Sequence, residues 1–324
     1  MIFHLDLLSV LEFITSNKFN ICFNISYPTN FISLLLPSVV IFFLDSSEKV
    51  MIQYGEDKYK SDLKEIWRLC FPSDPEAFIH FYFDKVYKNE ETLLYVENGC
   101  PVAALQMIPY IIKTGINTPL AGYISGAMTH PDFRKKGYMD QLLKDAFAKM
   151  KENGYDYIFL IPQEKWLLGF YARYGYTTLN NVDSVSNRFF LQSSGNGTNA
   201  FTCFDDVDVN RLYQLYSFFL QQNENVVLKA APQFTNILWN FFDEKGVLFV
   251  NDLGIAFTFK NKNQIIIKEL FHSGDETKEE FLHAIRQYYG LSEIIFPDRP
   301  KGMIKRINDS APEITDIYMS MMLD

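Results

Sequence analysis

Apolar side chains recur along the chain with two alternating patterns, one typical of helices and one typical of strands. Leu63 is followed by Ile66 and Trp67, three and four positions later, which is the spacing of one helix face. Asn98-Gly99 lies between two apolar runs and is a hairpin signal. Over the first half, the pattern predicts helices at 58–70, 75–87 and 139–150, strands at 92–96, 102–112, 120–129 and 157–161, and a short helix ending near residue 175.

The second half of the chain repeats this order of elements in a weaker form. The spacing predicts helices at 207–220, 232–242 and 277–289, and strands at 247–250, 255–259, 265–270 and 294–296. A polar stretch at 193–199 is typical of a linker. We therefore predict an α/β fold with a mixed sheet in two copies, at 51–192 and 201–324, joined by a linker at 193–200.

The first fifty residues differ in character from the rest of the chain. They are rich in Phe, Ile, Leu, Ser and Asn and carry few charges. The apolar run 31–44 contains Pro37 and is shorter than the roughly 20 residues that a spanning helix needs. Met51 opens the first predicted strand, so we expect residues 1–50 to be a non-native extension upstream of the natural start. The alternative is a membrane-associated anchor.

The turn Arg134-Lys135-Lys136-Gly137-Tyr138-Met139 is the most informative local feature, because it leads from a strand directly into an amphipathic helix. A helix N-terminus offers backbone N–H groups and the positive end of the helix dipole, which suit a phosphate or pyrophosphate. Gly137 lets the backbone approach such a ligand closely. The alternative is an ordinary solvated helix start, but cations are unfavourable there unless an anion is near.

The corresponding segment of the second half has the opposite charge. It reads Ser273-Gly274-Asp275-Glu276, and two carboxylates at this place would repel a pyrophosphate. The sequence therefore predicts that the first copy binds the anionic ligand and that the second has a structural or substrate-shaping role.

Composition and charge narrow the possible partners. The 324 residues carry a formal net charge of −9, which argues against nucleic acid and is compatible with cationic small substrates. The four cysteines form no CxxC pair and the five histidines form no HExxH cluster, so no zinc or other metal site is expected. Scattered cysteines fit a reducing compartment, and we expect the protein to be cytoplasmic.

Two segments resemble motifs of the GCN5-related N-acetyltransferase (GNAT) family. Residues 129–139, Thr-His-Pro-Asp-Phe-Arg-Lys-Lys-Gly-Tyr-Met, resemble its acetyl-CoA-binding motif R/Q-x-x-G-x-G/A, and residues 170–176, Phe-Tyr-Ala-Arg-Tyr-Gly-Tyr, resemble its later FYxxxGF segment. The resemblance covers about 51–190 well and the second half as a degenerate repeat. The tandem layout is similar to the enhanced-intracellular-survival acetyltransferases, without their third, sterol-carrier-like domain. Met139 departs from the motif, which has Gly or Ala there.

The resemblance implies an acyl-CoA N-acyltransferase fold in two tandem copies, with acetyl-CoA as co-substrate. It implies that Ala127, Met128 and Thr129 pair by their backbone with the pantetheine arm. It further implies a pyrophosphate cradle formed by Arg134, Lys135, Lys136, Gly137, Tyr138, Met139 and Asp140. Because backbone N–H groups would supply the main contacts, the Met139 side chain could point away from the cofactor.

The resemblance also suggests a general acid. Tyr171 stands at the position that often protonates the coenzyme A thiolate in this family, and the alternative is a core aromatic. Glu97 and His130 are both candidates for the general base. The alternative for Glu97 is an ordinary turn carboxylate, and the alternative for His130 is an ordinary loop residue. In the tandem type the C-terminal carboxylate can act as base, and this chain ends in Leu323-Asp324, but that role is not carried over without the third domain.

Taken together, these features predict an acetyl-CoA-dependent N-acetyltransferase that moves an acetyl group to a primary amine by direct attack. The acceptor would enter between the two copies and could be a small cationic metabolite, an aminoglycoside-like compound, a peptide N-terminus or a lysine. One alternative is a non-catalytic acyl-CoA-binding or sensing module. Another is a different acyl donor such as an aminoacyl-tRNA, which the acidic charge disfavours. We expect no nucleic-acid partner. A membrane partner is expected only if residues 1–50 belong to the natural protein. A homo-oligomer is possible.

Overall fold

The computed structural model describes residues 50–181 and 197–323, which belong to one compact unit. The α-helices are α1 Lys60–Cys70, α2 Glu76–Phe81, α3 Tyr138–Glu152, α4 Lys165–Ala172, α5 Val209–Gln221, α6 Ala231–Asp243 and α7 Asp275–Tyr289. The strands are β1 Val50–Tyr54, β2 Thr92–Glu97, β3 Cys100–Thr114, β4 Leu120–Thr129, β5 Tyr157–Leu160, β6 Thr177–Thr178, β7 Asn180–Asn181, β8 Asn199–Phe201, β9 Asn225–Leu228, β10 Val247–Asn251, β11 Gly254–Asn261, β12 Gln264–His272, β13 Ile294–Ile295, β14 Met303–Arg306 and β15 Asp316–Ile317.

The first sheet has the strand order β1-β2-β3-β4-β5-β14-β6, with β9 paired to β3. Strands β1 to β4 run antiparallel, whereas β4 and β5 run parallel. The predicted α/β fold with a mixed sheet is thus confirmed. The second predicted helix differs in detail, since α2 is short and continues as a π-helical turn over Tyr82–Val86.

The second sheet repeats the first in order and direction. Its order is β13-β12-β11-β10-β8, which corresponds strand for strand to β5-β4-β3-β2-β1. The pairs β8–β10, β10–β11 and β11–β12 are antiparallel and β12–β13 is parallel. This repetition supports a duplicated fold; the residue limits of the two copies stay a prediction.

Strands from the second half also complete the first sheet. β14 pairs antiparallel with β5, and β9 pairs antiparallel with the end of β3. Neither strand is among the sequence predictions, because each has only 4 residues and pairs with a strand far away in the chain. The two halves therefore share backbone hydrogen bonds as well as side-chain contacts.

Helices cover both faces of the first sheet. Leu63, Ile66 and Trp67 of α1 are buried in one cluster with Met128 of β4. On the opposite face, α3 buries an apolar stripe against Ile124 of β4. The two faces of β4 are thus both enclosed, which fixes the strand that carries the candidate cofactor site. None of the helices in the described part of the chain is long and apolar enough to cross a membrane.

A buried ion pair ties the segment after β13 back to β12. Glu269 of β12 is 2% exposed, and both its carboxylate oxygens accept hydrogen bonds from the Arg299 guanidinium, at 2.8 and 2.9 Å. The Tyr318 hydroxyl donates to the same carboxylate at 2.5 Å, and the guanidinium lies over the Tyr318 ring. In the second copy, the region beyond the paired part of β12 and β13 is thus occupied by the protein's own side chains.

Arg299→Met is expected to lower the free energy of unfolding by about 3–5 kcal/mol, because the substitution leaves Glu269 buried without its counter-charge. Urea denaturation measures the change. The control is Arg211→Met, which breaks an ion pair with Asp252 at a side chain that is 70% exposed and should cost less than about 1 kcal/mol. A similar small loss for both variants would contradict a tightly enclosed Glu269.

Candidate active site

The short strand β5 pairs in parallel with only the first part of β4. The registered pairs are Ala121 with Tyr157, Gly122 with Ile158 and Tyr123 with Phe159. β5 ends at Leu160, whereas β4 continues to Thr129. Beyond Tyr123 the two strands part, and a cleft of about 80 Å³ opens between them. The described residues that line it are Trp67, Phe71, Tyr123, Ile124, Ser125, Gly126, Ala127, Leu160, Ile161, Pro162, Gln163, Leu167 and Tyr171.

A bulge interrupts β4 where it lines this cleft. Gln106 of β3 is paired with Ser125 and Ala104 with Met128, so one residue of β3 faces two of β4. Gly126 in the bulge has φ +55°, a left-handed conformation that favours glycine. The bulge redirects the backbone of β4 at the cleft, which is how a strand can present a backbone group to a ligand.

The residues expected to meet the pantetheine arm lie at and after this bulge. Ala127 lines the cleft and is half-buried, and Thr129 is also half-buried at the end of the strand. Met128 is buried, and its side chain packs in the core cluster with α1. Only the backbone of Met128 is therefore available to a ligand, as a backbone-pairing role requires.

The basic turn begins α3 with an exposed and uncapped N-terminus. Gly137 is the N-cap residue with φ +85°, and as a glycine it has no side chain that could cap the helix. Lys135 also has a positive φ, of +64°. Arg134, Lys135, Lys136 and Gly137 are exposed. The turn thus offers helix N–H groups and positive charge on the surface, next to the end of β4.

Within the turn, local contacts hold most of the charged side chains. Arg134 Nε donates to the carbonyl of Thr129 at 3.2 Å, and Lys136 lies 4.5 Å from the ring centroid of Phe133. Lys135 makes no ion pair with any residue in 50–181 or 197–323. Hydrogen bonds from Lys144 and Tyr174 lower the pKa of Asp140, so this carboxylate is held by cations and a phenol of the protein.

Tyr138 and Met139 turn away from the open side of the turn. The Tyr138 hydroxyl donates to Glu97 Oε2 at 2.5 Å, and its ring stacks on Tyr95 with centroids 4.1 Å apart. Met139 is half-buried and packs against the core cluster under α3. Since its side chain points inward, the departure from the family motif at this position does not fill the space beside Gly137.

Tyr171 lies on α4 at the wall of the cleft. It is 7% exposed, and its hydroxyl has no hydrogen-bond partner among the described residues. Burial, followed by the neighbouring Tyr174, raises the pKa of Tyr171 to about 12. The phenol therefore keeps its proton at ordinary pH. This geometry suits a proton donor, and the role of Tyr171 stays a prediction.

The two candidate bases lie outside the set of residues that lines the cleft. Glu97 accepts the hydrogen bond from Tyr138, which makes it a support of the basic turn. His130 Nδ1 accepts from the backbone N–H of Asp132 at 3.3 Å and so caps the short turn Pro131–Phe133. Asp324, the C-terminal residue, lies outside the described residues, and Leu323 before it lines a second cleft.

This second cleft, of about 390 Å³, is built from both halves of the chain and shares Ile161 with the first. Five of its described lining residues are acidic and two are basic: Asp74, Asp243, Glu244, Glu269 and Asp298 against Lys268 and Arg299. Sequence reasoning did not identify these residues, because they come from distant segments and form no local motif. The acidic composition of the chain was the only sequence signal that pointed to such a surface.

The mixed sheet, with its parallel pair β4–β5, agrees with the acyl-CoA N-acyltransferase fold, and comparisons with known proteins support this assignment. Residues 52–179 match the family model described as "Acetyltransferase (GNAT) domain". The match covers this part of the chain and agrees with the resemblance to the GNAT family that the two sequence motifs carry. No curated protein matches the sequence of the chain.

Solved structures with the same fold extend over both halves of the chain. A GCN5-related N-acetyltransferase from Anabaena variabilis superposes with a TM-score of 0.63 at 12% identity, covering 80% of this chain and 73% of that one. One from Kribbella flavida gives 0.60 at 13% identity, covering 80% and 71%. Eis1 from Mycobacterium abscessus gives 0.58 at 10% identity, covering 80% and 74%. At these identities the similarity concerns the fold.

Gly137→Ala is expected to weaken coenzyme A binding roughly tenfold, because the added Cβ disfavours the left-handed conformation that sets the turn. Calorimetry with coenzyme A measures the affinity. Gly154→Ala is the matched control: φ is +76° there and +85° at Gly137, and a Cβ would have open space at either position. Both variants should lose about 1 kcal/mol of stability, but only the first should change affinity. Equal coenzyme A affinities would contradict a binding role for the turn.

Proposed function

We propose that this protein is an acetyl-CoA-dependent N-acetyltransferase that acetylates a primary amine by direct attack on the thioester. The observation that carries this proposal is the cleft between β4 and β5, which has Tyr171 in its wall and lies on the strand that leads into the turn at Gly137. A GNAT domain over residues 52–179 supports the same reaction class.

The described residues fit a coenzyme A thioester. The uncapped start of α3, with Lys135 exposed beside it, would hold the pyrophosphate by backbone N–H groups and charge. The open space at Gly137, where a Cβ would meet nothing within 4 Å, leaves room for phosphate oxygens. The backbone of Ala127 to Thr129 would pair with the pantetheine arm, and the narrow cleft beyond it would receive the acetyl group.

The chemistry requires little from the protein beyond placement and one proton. Acetyl-CoA would supply an activated acetyl group, so that the neutral amine forms a C–N bond and the C–S bond breaks. The proton that the amine loses would pass to solvent. A backbone N–H of β4 near Ala127 to Thr129 would polarise the carbonyl. Tyr171 would give its phenolic proton to the departing thiolate, and its raised pKa keeps that proton in place until then. The Tyr171 phenolate would take up a proton from solvent after each turnover.

The acceptor amine would occupy the larger cleft between the halves. Its excess of carboxylates would attract a cationic amine, and its volume of about 390 Å³ is in the range of small-molecule sites. The two clefts share Ile161, so an amine in the larger one would approach the acetyl group from the side of the second half.

Calorimetry with acetyl-CoA, followed by a panel of amines with detection of the released thiol, tests the proposal. Binding together with amine-dependent thiol release is expected. Binding without release across cationic metabolites, aminoglycoside-like compounds, peptides and lysine would favour the non-catalytic acyl-CoA-binding module. Absence of acetyl-CoA binding would contradict both functions.

Tyr171→Phe is expected to lower kcat by roughly 100-fold or more with little change in acetyl-CoA affinity, because the ring remains and the proton donor is lost. Steady-state kinetics and calorimetry measure the two quantities. Tyr176→Phe is the control, since Tyr176 is buried with its ring centroid 5.8 Å from that of Tyr171 and does not line the cleft. Unchanged turnover in Tyr171→Phe would exclude the acid role.

The pH profile of kcat/KM is expected to rise with the deprotonation of the acceptor amine and not to fall again up to about pH 10. The group that donates the proton must be protonated, and the pKa of Tyr171, raised to about 12 by burial, keeps it so across this range. Rates corrected for non-enzymatic thioester hydrolysis measure the profile. A fall in activity between pH 8 and pH 10, at a fixed fraction of neutral amine, would contradict this assignment.

A further inference from the structure

Trp67 on α1 connects the two clefts. Its ring is 4% exposed and lines the smaller cleft between β4 and β5. Its indole Nε1 donates a hydrogen bond of 2.8 Å to Asp74 Oδ2, and Asp74 lines the larger cleft. The backbone N–H of Asp74 in turn donates to the carbonyl of Phe71 at 3.1 Å. The short turn after α1 therefore carries two lining residues, Phe71 in the first cleft and Asp74 in the second.

The Trp67 ring also lies directly against the bulge of β4. A Cβ built on Gly126 would come within 2.9 Å of the edge of the indole ring, so the ring lies close against the glycine backbone. Tyr82 and Phe71 enclose the ring from other sides, with centroid distances of 4.6 and 5.0 Å. The ring therefore has little room to move away from Gly126 without a change in its own orientation.

A separate hydrogen bond fixes the residue before the bulge. The Ser125 hydroxyl lies 3.0 Å from the Tyr82 hydroxyl, which also donates to the side-chain oxygen of Gln106. Ser125, next to Gly126, is thus linked to Gln106 of β3 through the Tyr82 hydroxyl. On the α1 side, the three atoms nearest to a Cβ built on Gly126 all belong to the Trp67 ring.

We propose that Trp67 is a positioning residue for acetyl transfer and that Asp74 is its anchor. The indole ring holds the bulge at Gly126 so that the carbonyl-polarising N–H of β4 stays aligned with the thioester. The hydrogen bond to Asp74 fixes the plane of the ring, because a buried indole N–H without an acceptor would favour another orientation. The effect on acetyl transfer rests on the proposed function. The support of the bulge by Trp67 does not, and it can be measured in the free protein.

The test compares Asp74→Ala, which removes the acceptor of the indole N–H, with Asp74→Asn, whose amide oxygen can still accept it. Trp67→Phe removes the donor and keeps an aromatic ring. Glu76→Ala is the control, because Glu76 also joins α2 to α1, through Arg68, but lies on the surface and outside both clefts. Unfolding temperatures of all variants show whether each is folded.

Three measurements separate a positioning role from a general structural one. In Asp74→Ala and Trp67→Phe, kcat should fall roughly tenfold with little change in the KM for acetyl-CoA, and Asp74→Asn should recover most of the loss. The ¹³C resonance of the carbonyl carbon in bound acetyl-CoA should lose its downfield shift in the same two variants. Amide hydrogen exchange at Gly126 and Ala127 in the free protein should accelerate in them and stay slow in Asp74→Asn.

Equal losses of kcat in Asp74→Asn and Asp74→Ala would overturn the proposal, because the charge of Asp74 would then matter and the hydrogen bond would not. An increase in the KM for the amine as the sole effect would overturn it too. If the wild-type protein does not bind acetyl-CoA, the proposed function fails, but the exchange rates still decide whether Trp67 braces the bulge. If Asp74→Ala does not fold, Trp67→Phe and Asp74→Asn carry the comparison.

Discussion

The parting of β4 and β5 beyond Tyr123 is the constraint on which the rest of the candidate site depends. Parallel strands that stay paired leave no room between them, because their backbone groups satisfy each other. Here the pairing ends after Tyr123, and β4 continues alone to Thr129. The backbone of β4 is then available to a ligand, and the chain reaches the turn at Gly137 only a few residues later. A strand edge and a helix N-terminus thus lie in sequence along one path, which matches an extended ligand with an acyl group at one end and phosphates further along.

The second copy shows what happens when the same topology lacks these features. β12 and β13 are also parallel and paired at only two positions. Beyond them, Glu269, Arg299 and Tyr318 form a buried polar cluster of the protein's own side chains. The helix that follows starts with Asp275 and Glu276, whose charge opposes an anion at the helix N-terminus. The first copy therefore keeps an exposed, positively charged helix start, and the second contributes a wall to the larger cleft.

Much of this arrangement could be predicted from the sequence because it depends on residues that are close together in the chain. The apolar periodicity located α3 and β4, and the glycine and basic residues at 134–137 identified the turn between them. What could not be predicted depends on distant partners. β14 is a strand because the edge of β5 is available to it, and the inward direction of Met139 depends on the core beneath α3. The acidic cleft brings together side chains from residues 74 to 298, and no spacing rule links them.

The sharing of strands also bears on how the two halves depend on each other. β14 pairs with β5 along Tyr157 to Leu160, and its residues Met303 and Ile304 are buried. Without β14, β5 would present an unpaired and apolar edge, which proteins avoid because it promotes association with other strands. β5 is also the strand that forms one side of the candidate acetyl site. The shape of that cleft therefore depends on the folding of the second half, even though all the residues that line it lie in the first half.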